Sequence, residues 1–201
     1  MTRLSLSIAM AFALAALSGC AGSPKSDFYT LSAQVPQASN VPANNVQAAP
    51  MTVVIGVVTI PDLVDRPQIV VRTGDNKVDI DEFARWADPL KSQIPRVIRA
   101  DLAQILNSPL VSTYPMGGDP ASAYRVQLDV QRFEAALGDA ATVDVLWSVF
   151  PPGKKPLLSG RSTVREPCTG SGFDAVVAAY STALGTVSRD IAAAIRPVGS
   201  P

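Results

Sequence analysis

The residues that could carry chemistry in this chain are few, and their spacing narrows the possibilities quickly. Among 201 residues there is no His. That removes the Ser-His-Asp and Cys-His nucleophile systems, the His-bearing zinc sites and the side chain best suited to proton transfer near neutral pH. Asp79, Asp81 and Glu82 form an acidic cluster. They lack the spacing of a calcium loop and fall at the end of an expected strand, where solvated charge is the ordinary arrangement. A hydrolase acting through them is the weakest functional reading. Gly170-Ser171-Gly172 precedes an expected helix and could offer N–H groups to an anion. No G-x-x-x-x-G-K-[ST] accompanies it, so a flexible cap is the plainer reading. Lys154 and Lys155 stand at an expected hairpin tip, where they could touch lipid phosphates or simply be solvated. With 17 basic against 17 acidic residues and a pI near 6.2, the chain lacks the basic footprint of a nucleic-acid binder.

The most specific chemistry is at the N-terminus. Arg3 is followed by an uncharged apolar run, Leu4 to Leu17, and then by Ser18-Gly19-Cys20. This is the charged region, hydrophobic region and small-residue cleavage site of a signal peptide, and the run is short for a membrane-spanning helix. Small residues directly before a Cys resemble the lipobox of bacterial lipoproteins, in which Cys20 is lipidated and becomes the first residue. Residues 1–19 are then the signal peptide, and residues 20–26 the lipidated Cys and a short tether. No Asp directly follows Cys20, which by the same resemblance favours the outer membrane. Six residues from Ala21 to Ser26 reach roughly 20 Å at about 3.3 Å each, so the folded body sits close to the bilayer. With Cys20 carrying lipid, Cys168 has no intramolecular partner. Arg165 and a helix start are the only aids to a reactive thiol, and an inert or intermolecularly paired Cys168 is the simpler reading.

A single domain over residues 27–197 must position these groups, with residues 198–201 as a tail. Asp27 to Leu31 reads as a strand, and residues 34–50, rich in Pro, Asn, Gln, Ala and Ser without charge, as a flexible loop. Thr52 to Ile60 is apolar on both alternating faces and suggests a central strand covered on both sides. Gln68–Thr73 and Lys77–Asp81 form a hairpin around a Gly/Asp/Asn turn. Asp88-Pro89 supplies an N-cap and first-position Pro for a helix to Asn107, which Pro95 should kink or restart. Tyr124, Val126, Leu128 and Val130 alternate with Arg125, Gln127, Asp129 and Gln131, giving one buried and one wet face. Val143, Val145, Trp147 and Val149 repeat the pattern, and residues 157–165 complete an antiparallel meander. Phe173 to Ile195 forms an apolar helical stripe that opens on a capping box, Ser171 with Asp174, and stops at Pro197. The expected fold is α+β, a two-layer sandwich: a largely antiparallel sheet of about six or seven strands with two amphipathic helices on one face.

Residues 60–76, IPDLVDRPQIVVRTGDN, followed by residues 82–90, EFARWADPL, resemble the ABC-type transport auxiliary lipoprotein family, best known through the PqiC lipoproteins. The strand at Phe28-Tyr29-Thr30-Leu31 soon after the lipobox and the closing Ala-rich helix with Ser188-Arg189-Asp190-Ile191-Ala192 are similar to the same family. The resemblance implies a non-enzymatic envelope lipoprotein, an accessory subunit serving an MCE-type lipid-transport system. Its partners would be an MCE-family periplasmic protein, the inner leaflet of the outer membrane and, where a channel end is met symmetrically, further copies of itself. No cofactor is implied beyond the covalent lipid on Cys20. Arg66, Arg72, Arg85 and Trp86 in the matching segment are candidate partner contacts, since Arg and Trp are enriched at binding hot spots. Ion pairs to Asp62, Asp65 or Asp88 explain the arginines equally well, and a core position explains Trp86. The alternative function is a stand-alone periplasmic lipid carrier, which requires an apolar cavity of several hundred Å³ between sheet and helices.

Overall fold

The computed structural model describes residues 25–34, 51–113, 120–153 and 156–199, with side chains to residue 196. Cys20, most of the 34–50 loop, Lys154 and Lys155 lie outside the described residues. Among the described residues there are eight strands: β1 (Asp27–Tyr29), β2 (Val53–Thr59), β3 (Gln68–Gly74), β4 (Lys77–Trp86), β5 (Val111–Ser112), β6 (Tyr124–Ala135), β7 (Ala140–Phe150) and β8 (Leu158–Pro167). Helix α1 spans Leu90–Ile105 and α2 spans Phe173–Gly199. The class is α+β, as expected, but the strands divide into two mixed sheets ordered β1-β4-β3 and β5-β2-β6-β7-β8.

Parallel pairing is the main departure from the expected antiparallel sheet. β1 runs parallel to β4, and β2 runs parallel to both β5 and β6. Between β2 and β6 lie the β3–β4 hairpin and α1, and a connection of that length is what a parallel pair demands. The meander β6-β7-β8 is antiparallel throughout, and its alternation holds: Tyr124, Val126, Leu128 and Val130 are buried and Arg125, Gln127, Asp129 and Gln131 are exposed. β2 is not covered on both sides. Val53 and Ile55 are buried, the register shifts between Ile55 and Val58, and Val57 faces outward at 64 % exposure.

Both helices pack on one face of the larger sheet, burying Ile94, Ile98 and Leu102 of α1 and Tyr180, Leu184 and Ile191 of α2. Several expected terminal signals act differently. Pro89, not Asp88, is the N-cap of α1, and the Asp88 carboxylate accepts from Arg96 instead. Pro95 neither ends nor divides α1. The bond its missing N–H forfeits is the one to the Lys91 carbonyl, in the first turn, while the buried Ile94, Val97 and Ile98 hold the helix in place. Asn107, with φ 47°, ends α1 in the left-handed conformation common just past a helix. α2 begins at Phe173, one residue later than the Ser171–Asp174 capping box requires, and continues past Pro197 to Gly199.

The expected N-terminal strand stops at Tyr29 because the next residues bond to side chains rather than to a ladder. The N–H groups of Leu31, Ser32 and Gln34 donate to Gln93 Oε1 (2.8 Å), Ser181 Oγ (3.2 Å) and Asp101 Oδ1 (3.0 Å). Gln93 in turn donates to the Asp88 carbonyl at 2.7 Å, and Ser188 Oγ donates to Asp101 Oδ2 at 3.2 Å. Residues 30–34 are thus a strap laid over α1 and α2. Its sockets are buried polar side chains, all satisfied by the strap or by neighbouring groups.

Candidate functional site

The segment 60–76 forms the β2–β3 turn and β3, and residues 82–90 form the end of β4 and the start of α1. Folding brings the two together where the Trp86 N–H donates to the Pro67 carbonyl at 2.7 Å. Between them lies an open cleft of about 300 Å³ lined by Asp65, Arg66, Pro67, Trp86, Ala87, Asp88 and Pro89. The Ala87 N–H donates to the Tyr29 carbonyl at 2.8 Å, so the end of β1 and the strap support this rim from behind.

Trp86 is 5 % exposed and belongs to the core as well as to the cleft wall. Its ring stands 6.3 Å from both Phe133 and Tyr180, which stack on each other at 3.9 Å. The core position weighed for Trp86 from sequence is therefore occupied. Burial pushes the Tyr180 phenol up, so it stays neutral in this cluster.

The three arginines differ sharply. Arg72 on β3 grips Glu134 of β6 with two bonds, Nε to Oε2 at 2.8 Å and an NH2 nitrogen to Oε1 at 3.1 Å, and donates to the Asp75 carbonyl at 2.8 Å. Those hydrogen bonds hold the Glu134 carboxyl below the usual carboxylate range despite the opposing effect of burial. Arg85 on β4 folds back onto Glu82, through the carbonyl at 2.8 Å and the carboxylate at 3.2 Å. Arg66 has no hydrogen-bond acceptor and no ion-pair partner among the described residues, and its Nε is closed off from solvent. The carboxylates that line its cleft are already engaged: Asp65 by Lys91 at 2.5 Å and Asp88 by Arg96 at 3.0 Å. None of the three arginines pairs with Asp62, Asp65 or Asp88, the partners expected from sequence: Arg72 pairs with Glu134 and Arg85 with Glu82, while Asp65 and Asp88 are taken by Lys91 and Arg96.

Sequence reasoning missed the cations of α1. Lys91, Arg96 and Arg99 line an adjoining groove of about 490 Å³ with Ser92, Pro95, Ile55, Gly56 and Thr113. Arg99 makes no ion pair among the described residues. The signal was available as three basic residues on the polar side of one amphipathic helix. Gln93 and Asp101, the strap sockets, were also missed; both interrupt the apolar stripe of α1.

Asp81 and Glu82 of the acidic cluster are used by their own chain. Asp81 Oδ1 accepts from the Phe83 and Ala84 N–H groups at 2.8 and 2.6 Å, and Glu82 holds Arg85 and Gln68. Cys168 is half-buried, and burial, followed by the charge of Asp139, pushes its thiol up, away from the reactive thiolate. No helix among the described residues is long and apolar enough to cross a membrane.

No curated protein sequence matches the chain. Solved structures share its fold, among them two at 19 % identity. One is described as the crystal structure of an uncharacterized protein, with a TM-score of 0.68 at 19 % identity, covering 86 % of this chain and 99 % of that one. The other is protein XCC0632 from Xanthomonas campestris, with a TM-score of 0.64 at 19 % identity, covering 87 % and 96 %. Residues 29–192 match the model of the ABC-type transport auxiliary lipoprotein component family, a match that takes in both sheets, both helices and the Arg66–Trp86 cleft. The chain belongs to that family, one of transport auxiliary components rather than of enzymes.

Proposed function

We propose that this protein is an accessory subunit of an MCE-type intermembrane lipid-transport system, anchored through lipidated Cys20 to the inner leaflet of the outer membrane. It docks a periplasmic MCE-family protein through the Arg66–Trp86 cleft. The observation that carries the docking site is the unpartnered Arg66 guanidinium, held in a cleft whose own carboxylates are taken by Lys91 and Arg96. An arginine left without an acceptor at an apolar rim suits a carboxylate of a partner, since its planar fork bonds carboxylates in pairs. The cations of α1 beside it extend the same preference. Lys154 and Lys155 add a candidate contact to lipid phosphates within this reading.

The stand-alone carrier is less well supported. The space between helices and sheet where an acyl chain would lie is occupied by Phe133, Tyr180, Leu184 and Ile191, each buried, with the first two stacked. The test is affinity purification of the full-length lipoprotein from mildly cross-linked envelopes, with mass spectrometry of the proteins and lipids recovered. An MCE-family protein in the eluate is the expected result. Recovery of stoichiometric phospholipid without such a protein would replace this reading with the carrier.

A further inference from the structure

The small sheet carries an exposed aromatic pair that neither the core nor the cleft uses. Phe28 on β1 is 66 % exposed and Phe83 on β4 is 45 % exposed. In the parallel register Phe28 lies opposite Arg85, and Phe83 precedes Arg85 by two positions on the same strand. The two rings therefore share a face as diagonal neighbours, with backbones about 8 Å apart from the strand spacing and rise. The opposite face holds the buried Ala84 and Trp86, which confirms that Phe28, Phe83 and Arg85 point outward.

Phe83 is fixed there by its own chain. Asp81 Oδ1 accepts from the N–H groups of Phe83 and Ala84 at 2.8 and 2.6 Å, within a stretch of β4 where the pairing to β3 shifts register. Charges around the pair are close to balance: Lys25 and Arg85 against Asp27 and Glu82, with Arg85 and Glu82 bonded to each other. Such a face neither repels nor requires an anionic surface.

The length of chain leading to this face identifies what covers it. Phe28 is eight residues beyond Cys20, a reach of about 26 Å at most for a fully extended chain. A lipid on Cys20 therefore keeps β1 and the face it carries within about 26 Å of the bilayer.

We infer that the Phe28–Phe83 face of the small sheet rests on the phospholipid surface and forms a second, non-covalent contact that orients the domain on its anchor. This rests on the lipid-anchor reading of Cys20. Insertion of the two rings at the headgroup boundary removes apolar surface from water, as aromatic residues do at membrane interfaces. It also fixes the rotation of the body about its anchor.

The test places a nitroxide label at Phe83→Cys, and separately at Leu146→Cys on the open face of the large sheet, in full-length lipidated protein carrying Cys168→Ser. The protein is reconstituted into phosphatidylethanolamine and phosphatidylglycerol vesicles. The expected result is a several-fold higher ratio of oxygen to water-soluble nickel accessibility at position 83 than at position 146. Equal ratios on vesicles that carry the protein would overturn the inference while leaving the anchor intact. A label at position 83 shielded from both reagents would overturn it in favour of contact with a second copy. Protein that fails to float with the vesicles would overturn the anchor and this inference together. Phe28→Cys gives an independent reading on the same face, and because both rings are exposed these substitutions leave the core untouched.

Discussion

One arginine stands just before β3 and another within it, and the chain treats them in opposite ways. At the hairpin end of β3, Arg72 is locked onto Glu134 of the neighbouring sheet by paired hydrogen bonds and ties the two sheets together. At the other end Arg66 stands in a cleft with no acceptor, although Asp65 and Asp88 line the same cleft. Lys91 and Arg96 of α1 hold those carboxylates. Residue type therefore does not separate a structural arginine from an available one. What separates them is how the surrounding carboxylates are already committed, and that is decided by a helix that begins more than twenty residues after Arg66.

Trp86→Ala breaks the contrast most severely, because this ring is both cleft wall and core. Emptying its place beside Phe133 and Tyr180 should cost about 3–5 kcal/mol of stability. Thermal denaturation followed by circular dichroism reads this directly, and a loss below about 1 kcal/mol would mean the site collapses around the gap. Gln93→Met removes the acceptor for the Leu31 N–H and the donor to the Asp88 carbonyl behind the cleft. A cost of about 1–3 kcal/mol is expected for leaving those groups unpaired. Hydrogen exchange should show residues 30–34 opening while β6 to β8 stay protected, and uniform loss of protection would contradict the strap as a separate unit.

The locked end sharpens the contrast through pH. The Glu134 carboxyl lies below its ordinary value because Arg72 bonds its charged form, and the Asp144 carboxyl lies below its own because Arg161 does the same, each against burial. A group lowered in the folded state stabilises the fold above its unfolded value and loses that contribution as pH falls toward the lowered one. Stability should thus hold from neutral pH down to the carboxylate range and decline below about pH 4. Arg72→Ala should lower stability at neutral pH and flatten part of that decline in urea titrations at a series of pH values. An unchanged decline would assign the acid sensitivity to other carboxylates. Arg66→Ala, at the available end, should change stability by no more than about 0.5 kcal/mol, as surface substitutions away from paired groups do.

The sequence disclosed those parts of the molecule whose structure is local. Alternation marked β6, β7 and β8 because each residue's face is set by its neighbours in the chain, and the Asp75-Asn76 turn marked the β3–β4 hairpin. The stripes of both helices were readable for the same reason. The parallel pairings of β1 with β4 and β2 with β6 were not, since they depend on where a long connection returns the chain. The strap was hidden because its hydrogen bonds join residues 62, 67 and 149 positions apart. At the site, the motif singled out Arg66, Arg72, Arg85 and Trp86 together, while their separation into one unpartnered cation, two paired ones and a core ring required the folded neighbourhood.

The most direct test of the docking account compares Arg66→Ala with Arg85→Ala in quantitative co-purification of the full-length lipoprotein from cross-linked envelopes, with melting temperatures measured on the same preparations. Both variants should melt as the parent does. Arg66→Ala should lose the MCE-family protein from the eluate, whereas Arg85→Ala, already satisfied by Glu82, should keep it. Retention of the partner by a normally folded Arg66→Ala protein would contradict the cleft as the docking site.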